Sequence, residues 1–191
     1  GGITLLKIPF PLPVVIKPCQ EGSSVGVTIV SDPEDIPPAA EKALGYGGGI
    51  LVEEFIKGRE IQVGILDEVA LGAIEIVPKV EFYNYEAKYT DGLADHLFPA
   101  PLAPKEYQRA LDLGFQAHRL LGCEGATRVD LLCRDGGEFF VLEVNTLPGM
   151  TPLSLLPEIA RGMGILFPER VERLIKGARL RIPVRKKGAS T

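Results

Sequence analysis

The chain has only three cysteines, Cys19, Cys123 and Cys133, an odd number without a single CxxC pair. A disulfide framework uses an even number of cysteines and a thiolate zinc site uses CxxC pairs, so the pattern suits reduced thiols in the core of a cytosolic protein better than either. Of its two histidines, His96 and His118, neither has a ligand partner at helical spacing, and both read as structural. No apolar run reaches the ~18 residues that would cross a bilayer. The opening stretch GGITLLKIPFPLP lacks a basic n-region and is broken by prolines, which argues against a signal peptide. There is no Gly-x-Ser-x-Gly elbow of a hydrolase and no GxxxxGK(S/T) phosphate loop. The first residue is not Met either, so the chain reads as part of a longer protein.

What is present belongs to an ordinary globular protein of one or two domains: 191 residues, 46% hydrophobic and 24% charged. The net charge of −4 conceals an asymmetry. Seven basic residues and no acid lie from Arg173 onward, while the rest carries 14 basic and 25 acidic side chains, a net of −11. Without interleaved aromatics, the basic end reads as a helix end and a solvated tail rather than a nucleic-acid surface.

Alternating and apolar runs predict strands at about 13–18, 25–31, 50–55, 59–66 and 69–77. SDPEDIPPAAEKALG, residues 31–45, has a cap, early acids and a glycine stop, and predicts a short helix. Residues 78–101 show no clean period and are expected to form a long functional loop. A helix is expected from Pro104 to just before Gly122, with a stripe of Tyr107, Ala110, Leu111, Gly114, Phe115, Ala117 and Leu121. Strands at about 125–133 and 138–145 and a last helix near 167–178 complete an α+β pattern on a largely antiparallel sheet.

The most informative run is EFFVLEVNTLPGMTPLS, residues 138–154, where Glu143 and Asn145 interrupt an apolar strand. Asp135-Gly136 is a pair preferred by type I′ hairpin turns. If that turn forms, Arg128 faces Glu143 and Asp130 faces Val141, so Arg128, Asp130, Glu143 and Asn145 share one face. The other face then gathers Val129, Leu131, Phe140, Leu142 and Val144 as core. Two carboxylates and an amide so close need a cation, and oxygen-only ligands suit Mg²⁺ with phosphates and water. A plain Arg128–Glu143 salt bridge is the competing account.

Other segments fit phosphate chemistry. IKPCQEGSSVGV places Lys17 at a strand end ahead of a Gly/Ser loop whose N–H groups can meet phosphate oxygens, though a plain glycine hairpin also accounts for it. ILVEEFIKGREIQV brings Glu53, Glu54 and Glu60 to a connector, as acceptors for a base and ribose or simply as charges flanking a turn. YNYEAKYTDG supplies Lys88 and Tyr89, either a lid reaching a phosphate on closure or a solvated segment.

In order and spacing, VVIKPCQEGSSVGV, VEEFIKGREIQVGIL, FYNYEAKYTDG, GATRVDLLC and FVLEVNTLPGMTPLSLLPE together resemble the D-alanine–D-alanine ligase family of the ATP-grasp superfamily, from about 13 to 176. The resemblance implies an ATP-grasp fold, with the nucleotide held between two mainly antiparallel sheet subdomains: residues 1–60, then 61–178, then a basic tail at 179–191. It implies a cytosolic enzyme joining two D-alanines through an acyl phosphate for peptidoglycan precursors, with ATP and two Mg²⁺ (Mn²⁺ as a substitute). Lys17 would hold ATP phosphates. Glu53 and Glu60 would bind adenine and ribose, and Glu54 and Ile56 the base through their backbone. Asp130, Glu143 and Asn145 would ligate the metals. Arg128 and the Gly149 backbone would stabilise the transferred phosphoryl and the tetrahedral carbon, and Lys88 would meet the γ-phosphate. Ser154 and Leu155 would hold the second D-alanine's carboxylate, and Ser23 and Tyr89 would join the glycine loop to the lid.

Tyr89 after Lys88 favours the dipeptide over D-alanyl-D-lactate. The family's N-terminal substrate domain and its earlier ATP-binding lysine have no counterpart before Gly1, and Lys7 lies too close to Lys17 to replace that lysine. The chain alone is therefore expected to be inactive, and the complete protein a homodimer without membrane or nucleic-acid partners. Another ATP-grasp carboxylate–amine ligase, or a non-catalytic ATP-binding remnant, are the alternatives.

Overall fold

The computed structural model describes residues 8–22, 24–79 and 94–179. Two compact units are distinguished, one of Gly1–Glu60, Glu75–Leu97 and Leu132–Phe139, the other of Ile61–Ile74, Phe98–Leu131 and Phe140–Thr191.

In the first unit, β1 (Val14–Pro18) pairs antiparallel with β2 (Thr28–Val30) and β3 (Ile50–Glu54). Val14, Ile16 and Val30 point to one face and close a core with Ala39 and Ala43 of helix α1 (Ile36–Leu44). The helix predicted over 31–45 is split in two. A 3-10 turn, Pro33–Asp35, precedes α1, and the Asp32 carboxylate accepts from the Glu34 N–H at 3.1 Å. Pro37 and Pro38 follow at the first helical turn, where a missing N–H costs nothing. β2 is shorter than the predicted 25–31 because Ser24 and Gly26 take positive φ, +62° and +73°, and turn the chain before it.

β4 (Arg59–Leu66), β5 (Val69–Pro78), β6 (Ala94–Leu97), β7 (Ala126–Arg134) and β8 (Glu138–Asn145) form a five-stranded sheet in the order β6-β5-β4-β7-β8. The predicted loop at 78–101 therefore contains a strand, with Glu75 opposite Leu97 and Val77 opposite Asp95. Residues 80–93 lie outside the described residues.

Within the second unit, β4 is buried continuously from Ile61 to Leu66. The reason is a helix on each face of the strand. A Cβ on Gly114 of α2 (Pro104–Leu120) would lie 2.9 Å from Val63 Cβ, and one on Gly64 would lie 2.9 Å from Leu156 of α3 (Leu155–Gly162). Adjacent strand residues point to opposite faces, so α2 and α3 lie on opposite sides of β4. Sequence reading missed α3, although Ser154 precedes an apolar i, i+3, i+4 set of Leu156, Ile159 and Ala160, all buried. α2 buries Ala110, Gly114 and His118, whereas Leu121, predicted for the same stripe, is exposed just past the helix end. His118 is fully enclosed, with Nδ1 2.8 Å from Thr127 Oγ1 and Nε2 3.2 Å from Glu68 Oε1.

The last helix, α4 (Phe167–Gly177), ends one residue before the predicted boundary. It carries the buried Arg170, whose guanidinium lies 5.2 Å from the Phe167 ring centroid. Burial first and nearby Arg161 second lower its pKa below the ordinary arginine value. Past the helix, Arg179 pairs with Glu124. Cys133 is buried, but Cys19 is exposed, so the reading of all three thiols as core residues fails at Cys19. Among the described residues, no helix is long and apolar enough to cross a membrane.

Gly114→Ala tests the α2–β4 contact. In an exposed helix the change would stabilise by about 1 kcal/mol. Here the new methyl meets Val63 at 2.9–3.1 Å, so the expected outcome in a urea titration is a net loss of about 1–3 kcal/mol.

Candidate functional site

β7 divides its residues by face. Val129 and Leu131 are buried in the second unit, and Arg128 and Asp130 occupy the opposite face. Asp130 is only 9% exposed, a costly position for a carboxylate without a counter-charge. Arg128 supplies that charge from two residues away, with Nε 2.7 Å from Oδ1 and Nη2 2.9 Å from Oδ2. Arg128 thus pairs with Asp130 rather than with Glu143, the partner in the competing salt-bridge account. Each Asp130 oxygen keeps a further lone pair.

The β7–β8 connection is a turn closed by Gly137 N–H donating to Arg134 C=O at 3.0 Å. Its φ values are positive at Gly136 (+96°) and Gly137 (+82°), whereas Asp135 is not among the positive-φ residues. The predicted type I′ turn, which needs positive φ at both Asp135 and Gly136, is therefore not formed. Two consecutive glycines accept the left-handed positions without the Cβ penalty that Asp135 would pay. The positive–positive pattern occurs instead at Asp67-Glu68, between β4 and β5.

Glu143 and Asn145 alternate onto one side of β8, the edge strand of the sheet. Glu143 is exposed and Asn145 half-buried. Asn145 Oδ1 accepts the Leu147 N–H at 3.1 Å, which orients the amide at the start of the turn. Leu142 is 40% exposed and does not join the predicted core face, while Phe140 and Val144 are partly buried. An edge strand has one neighbour fewer to cover it.

After β8 the chain turns into α3. Ser154 is the N-cap of α3, yet its hydroxyl makes no cap bond. Its Oγ accepts from the Thr151 N–H at 3.2 Å and lies 2.8 Å from Thr151 Oγ1. Pro157, the third helical residue, has no N–H for a cap to satisfy. The helix start thus presents the N–H groups of Leu155 and Leu156 at the positive end of the α3 dipole. Gly149 lies tight against the same serine, since a Cβ there would be 2.6 Å from Ser154 Oγ. Thr151 was not singled out from sequence; a hydroxyl three residues ahead of a helix-capping serine was its available signal.

In the first unit, Lys17 Nζ lies 2.8 Å from Glu53 Oε2. With Lys17 opposite Leu51 and Val15 opposite Glu53, the two charges are diagonal neighbours across β1 and β3. Glu54 takes Arg134 at 2.9 Å, and Arg134 also reaches Glu138 at 3.1 Å. Ile56 and Glu60 are half-buried, Ile56 just past β3 and Glu60 on β4. Next to Glu60, Arg59 makes a bidentate pair with buried Glu75 at 2.7 and 2.6 Å, a counter-charge that sequence reading missed. Ser23, Lys88 and Tyr89 lie outside the described residues. Among the described residues, no three His, Cys, Asp or Glu side chains gather as a metal group. The predicted set needs only two carboxylates and an amide, and its donors are all oxygen, as Mg²⁺ requires.

Residues 6–176 match a family model described as the D-ala D-ala ligase C-terminus. The D-alanine–D-alanine ligases of Geobacter sulfurreducens and Trichlorobacter lovleyi are 60% identical over 174 residues and 57% over 176. These matches cover 91% and 92% of this chain but 55% and 56% of the relatives, so the chain spans a little over half their length. The solved D-alanine–D-alanine ligase of Bacillus anthracis complexed with ATP is similar at TM-score 0.73 and 34% identity, over 87% of this chain and 53% of that one. The VanG D-Ala:D-Ser ligase of Enterococcus faecalis is similar at TM-score 0.79 and 31% identity, over 88% and 50%. The fold these chains share is the α+β ATP-grasp fold.

Removing Arg128 leaves Asp130 a buried charge without its bidentate partner. Arg128→Ala is expected to cost about 3 kcal/mol in a urea titration, and Arg128→Ala with Asp130→Ala less than the sum of the single changes.

Proposed function

Because the chain belongs to the D-alanine–D-alanine ligase family and matches its C-terminal part, we propose that it is the nucleotide- and metal-binding portion of an enzyme that joins two D-alanines to D-alanyl-D-alanine. The observation that carries this reading is the bidentate Arg128–Asp130 pair on β7 and the uncapped start of α3 at Leu155, with Glu143 and Asn145 between them in the chain.

Lys17, paired with Glu53 at 2.8 Å without nucleotide, turns to the phosphate oxygens of ATP. Glu53 then accepts from the adenine amino group, Glu54 and Ile56 meet the base through their backbone, and Glu60 accepts from the ribose. Asp130, Glu143 and Asn145 hold two Mg²⁺, or Mn²⁺, whose charge neutralises the phosphate oxygens. The first D-alanine's carboxylate oxygen bonds to the γ-phosphorus as the bond to the β-phosphate bridging oxygen breaks, leaving an acyl phosphate and ADP. Arg128 stabilises charge on that phosphoryl group, and Lys88 meets it from the lid. The uncharged amine of the second D-alanine then bonds to the acyl carbon. As the tetrahedral intermediate collapses, the C–O bond to phosphate breaks and the amine proton is lost. The Gly149 N–H donates to the oxyanion of that intermediate. The Leu155 N–H and the Ser154 hydroxyl hold the second substrate's carboxylate, as a helix N-terminus favours. Ser23 and Tyr89 link the glycine loop to the lid.

Residues 1–60 and 61–178 serve as the two ATP-grasp subdomains, followed by a tail at 179–191. The complete protein carries a further N-terminal substrate domain and works as a cytoplasmic homodimer. A D-serine acceptor is the second reading, motivated by the similarity to VanG; Tyr89 after Lys88 favours an amine acceptor over D-lactate.

The test is a chimera in which the N-terminal portion of the Geobacter sulfurreducens relative precedes this chain. Phosphate release from ATP that requires D-alanine, with the dipeptide as product, is expected. No D-alanine-dependent release from a folded, ATP-binding chimera would overturn the reading in favour of a binding remnant. Glu143→Ala in the chimera should lower kcat at least about 10³-fold, with a melting temperature within a few degrees of the parent. Unchanged turnover would return Glu143 to a structural role.

A further inference from the structure

The loop after β1 runs through Gly22, Ser24, Val25 and Gly26, with two consecutive turns closed by Val25 N–H to Gly22 C=O at 3.1 Å and Val27 N–H to Ser24 C=O at 3.3 Å. Apart from half-buried Val25, its described residues, two glycines and a serine, offer little side-chain bulk with which to hold it in place. Its support comes from the end of α1. Gly26 sits in the left-handed region, at φ +73°, and a Cβ there would lie 2.8 Å from Tyr46 Cε2 and 2.7 Å from Pro18 Cγ. The glycine backbone is thus pressed on the tyrosine ring with no room for a methyl group.

Further contacts tie the same two segments. The Cys19 N–H donates to Gly49 C=O at 3.0 Å. A Cβ on Gly48 would meet the Gln20 side chain at 3.3 Å, and one on Gly49 the Cys19 sulfur at 3.4 Å. Tyr46 is itself anchored, because its N–H donates to Ala43 C=O at 3.3 Å and Gly47 N–H to Leu44 C=O at 2.9 Å. Ala43 belongs to the core under β1. A rigid path therefore runs from the helix, through the ring, to the loop. Tyr46 is 43% exposed and is not part of that core cluster.

We propose that Tyr46 is a positioning residue for the glycine loop, fixing Gly26 so that the loop N–H groups stay ordered toward the phosphates of a nucleotide. The role toward phosphate rests on the ligase reading above; the ordering of the loop does not. An aromatic ring suits the task, because it is rigid and bulky and its two side-chain torsions lose little entropy when fixed.

The experiment separates the two parts. Amide hydrogen exchange at Val25 and Val27 is measured in this chain, and MgATP affinity in the chimera, for Tyr46→Ala, Tyr46→Leu and Tyr46→Phe. Tyr46→Ala is expected to speed exchange at both amides about tenfold while core amides of β1 keep their protection. It is expected to weaken MgATP binding about tenfold, since the ligand must then order the loop itself. Tyr46→Phe, which keeps the ring, should restore both, and Tyr46→Leu should fall between. Should Tyr46→Ala fail to fold, Tyr46→Leu against Tyr46→Phe decides by the same readouts. Unchanged exchange in folded Tyr46→Ala or Tyr46→Leu overturns the positioning role. Faster exchange with unchanged affinity overturns the link to phosphate. A parent chimera that binds no MgATP overturns the ligase reading while exchange still decides the loop.

Discussion

A carboxylate with about a tenth of its surface exposed must have its charge met where it stands, and much of this site follows from how Asp130 meets that requirement. Strand alternation puts Val129 and Leu131 into the core and leaves Arg128 beside Asp130 on the other face. The bidentate geometry, 2.7 and 2.9 Å, engages Nε and Nη2 of the arginine and fixes the orientation of the carboxylate. A charge kept in place by a strand and a guanidinium has its direction fixed in advance by the fold. Arg59 and Glu75 repeat the solution on β4 and β5, in a place where no chemistry was expected.

The two glycine-bearing segments are supported by helix ends in different ways. At the end of α1 the chain turns the Tyr46 ring against Gly26, so a helix terminus packs on the loop through an aromatic side chain. At the start of α3 an N-cap serine is drawn away from its usual duty by Thr151, and Pro157 removes one donor that capping would have used. A helix with a serine at its cap normally satisfies its own first turn. Here two N–H groups remain available because neighbouring residues, rather than the helix, decide where that hydroxyl points.

Legibility in the sequence tracked how local the physics was. β4 matched its apolar run at both ends, and β1, β3, β5 and α2 matched theirs to within a residue or so, since period and flanking breakers act within a few residues. α3 was missed because eight residues with an internal proline give a weak pattern, and β6 because its pairing with β5 is not written in its own four residues. The type I′ turn was placed at Asp135-Gly136 on dipeptide preference. A second glycine shifted the left-handed positions onward, while Asp67-Glu68 took the positive–positive geometry, with Glu68 in contact with His118. Leu142 was assigned to a core that an edge strand does not provide.

By itself, the sequence determined which residues alternate and which chemistry they carry: oxygen-bearing side chains, an arginine, a glycine loop and a family whose C-terminal part spans most of the chain. Periodicity and residue type are local properties, and a motif keeps its order whatever the fold does around it. The tertiary structure decided the partners. Arg128 chose Asp130 over Glu143 as the mate for its bidentate pair, Lys17 chose Glu53, and Ser154 chose Thr151 over its own helix. Each choice compares several acceptors within reach of one donor, and only the folded backbone sets those distances.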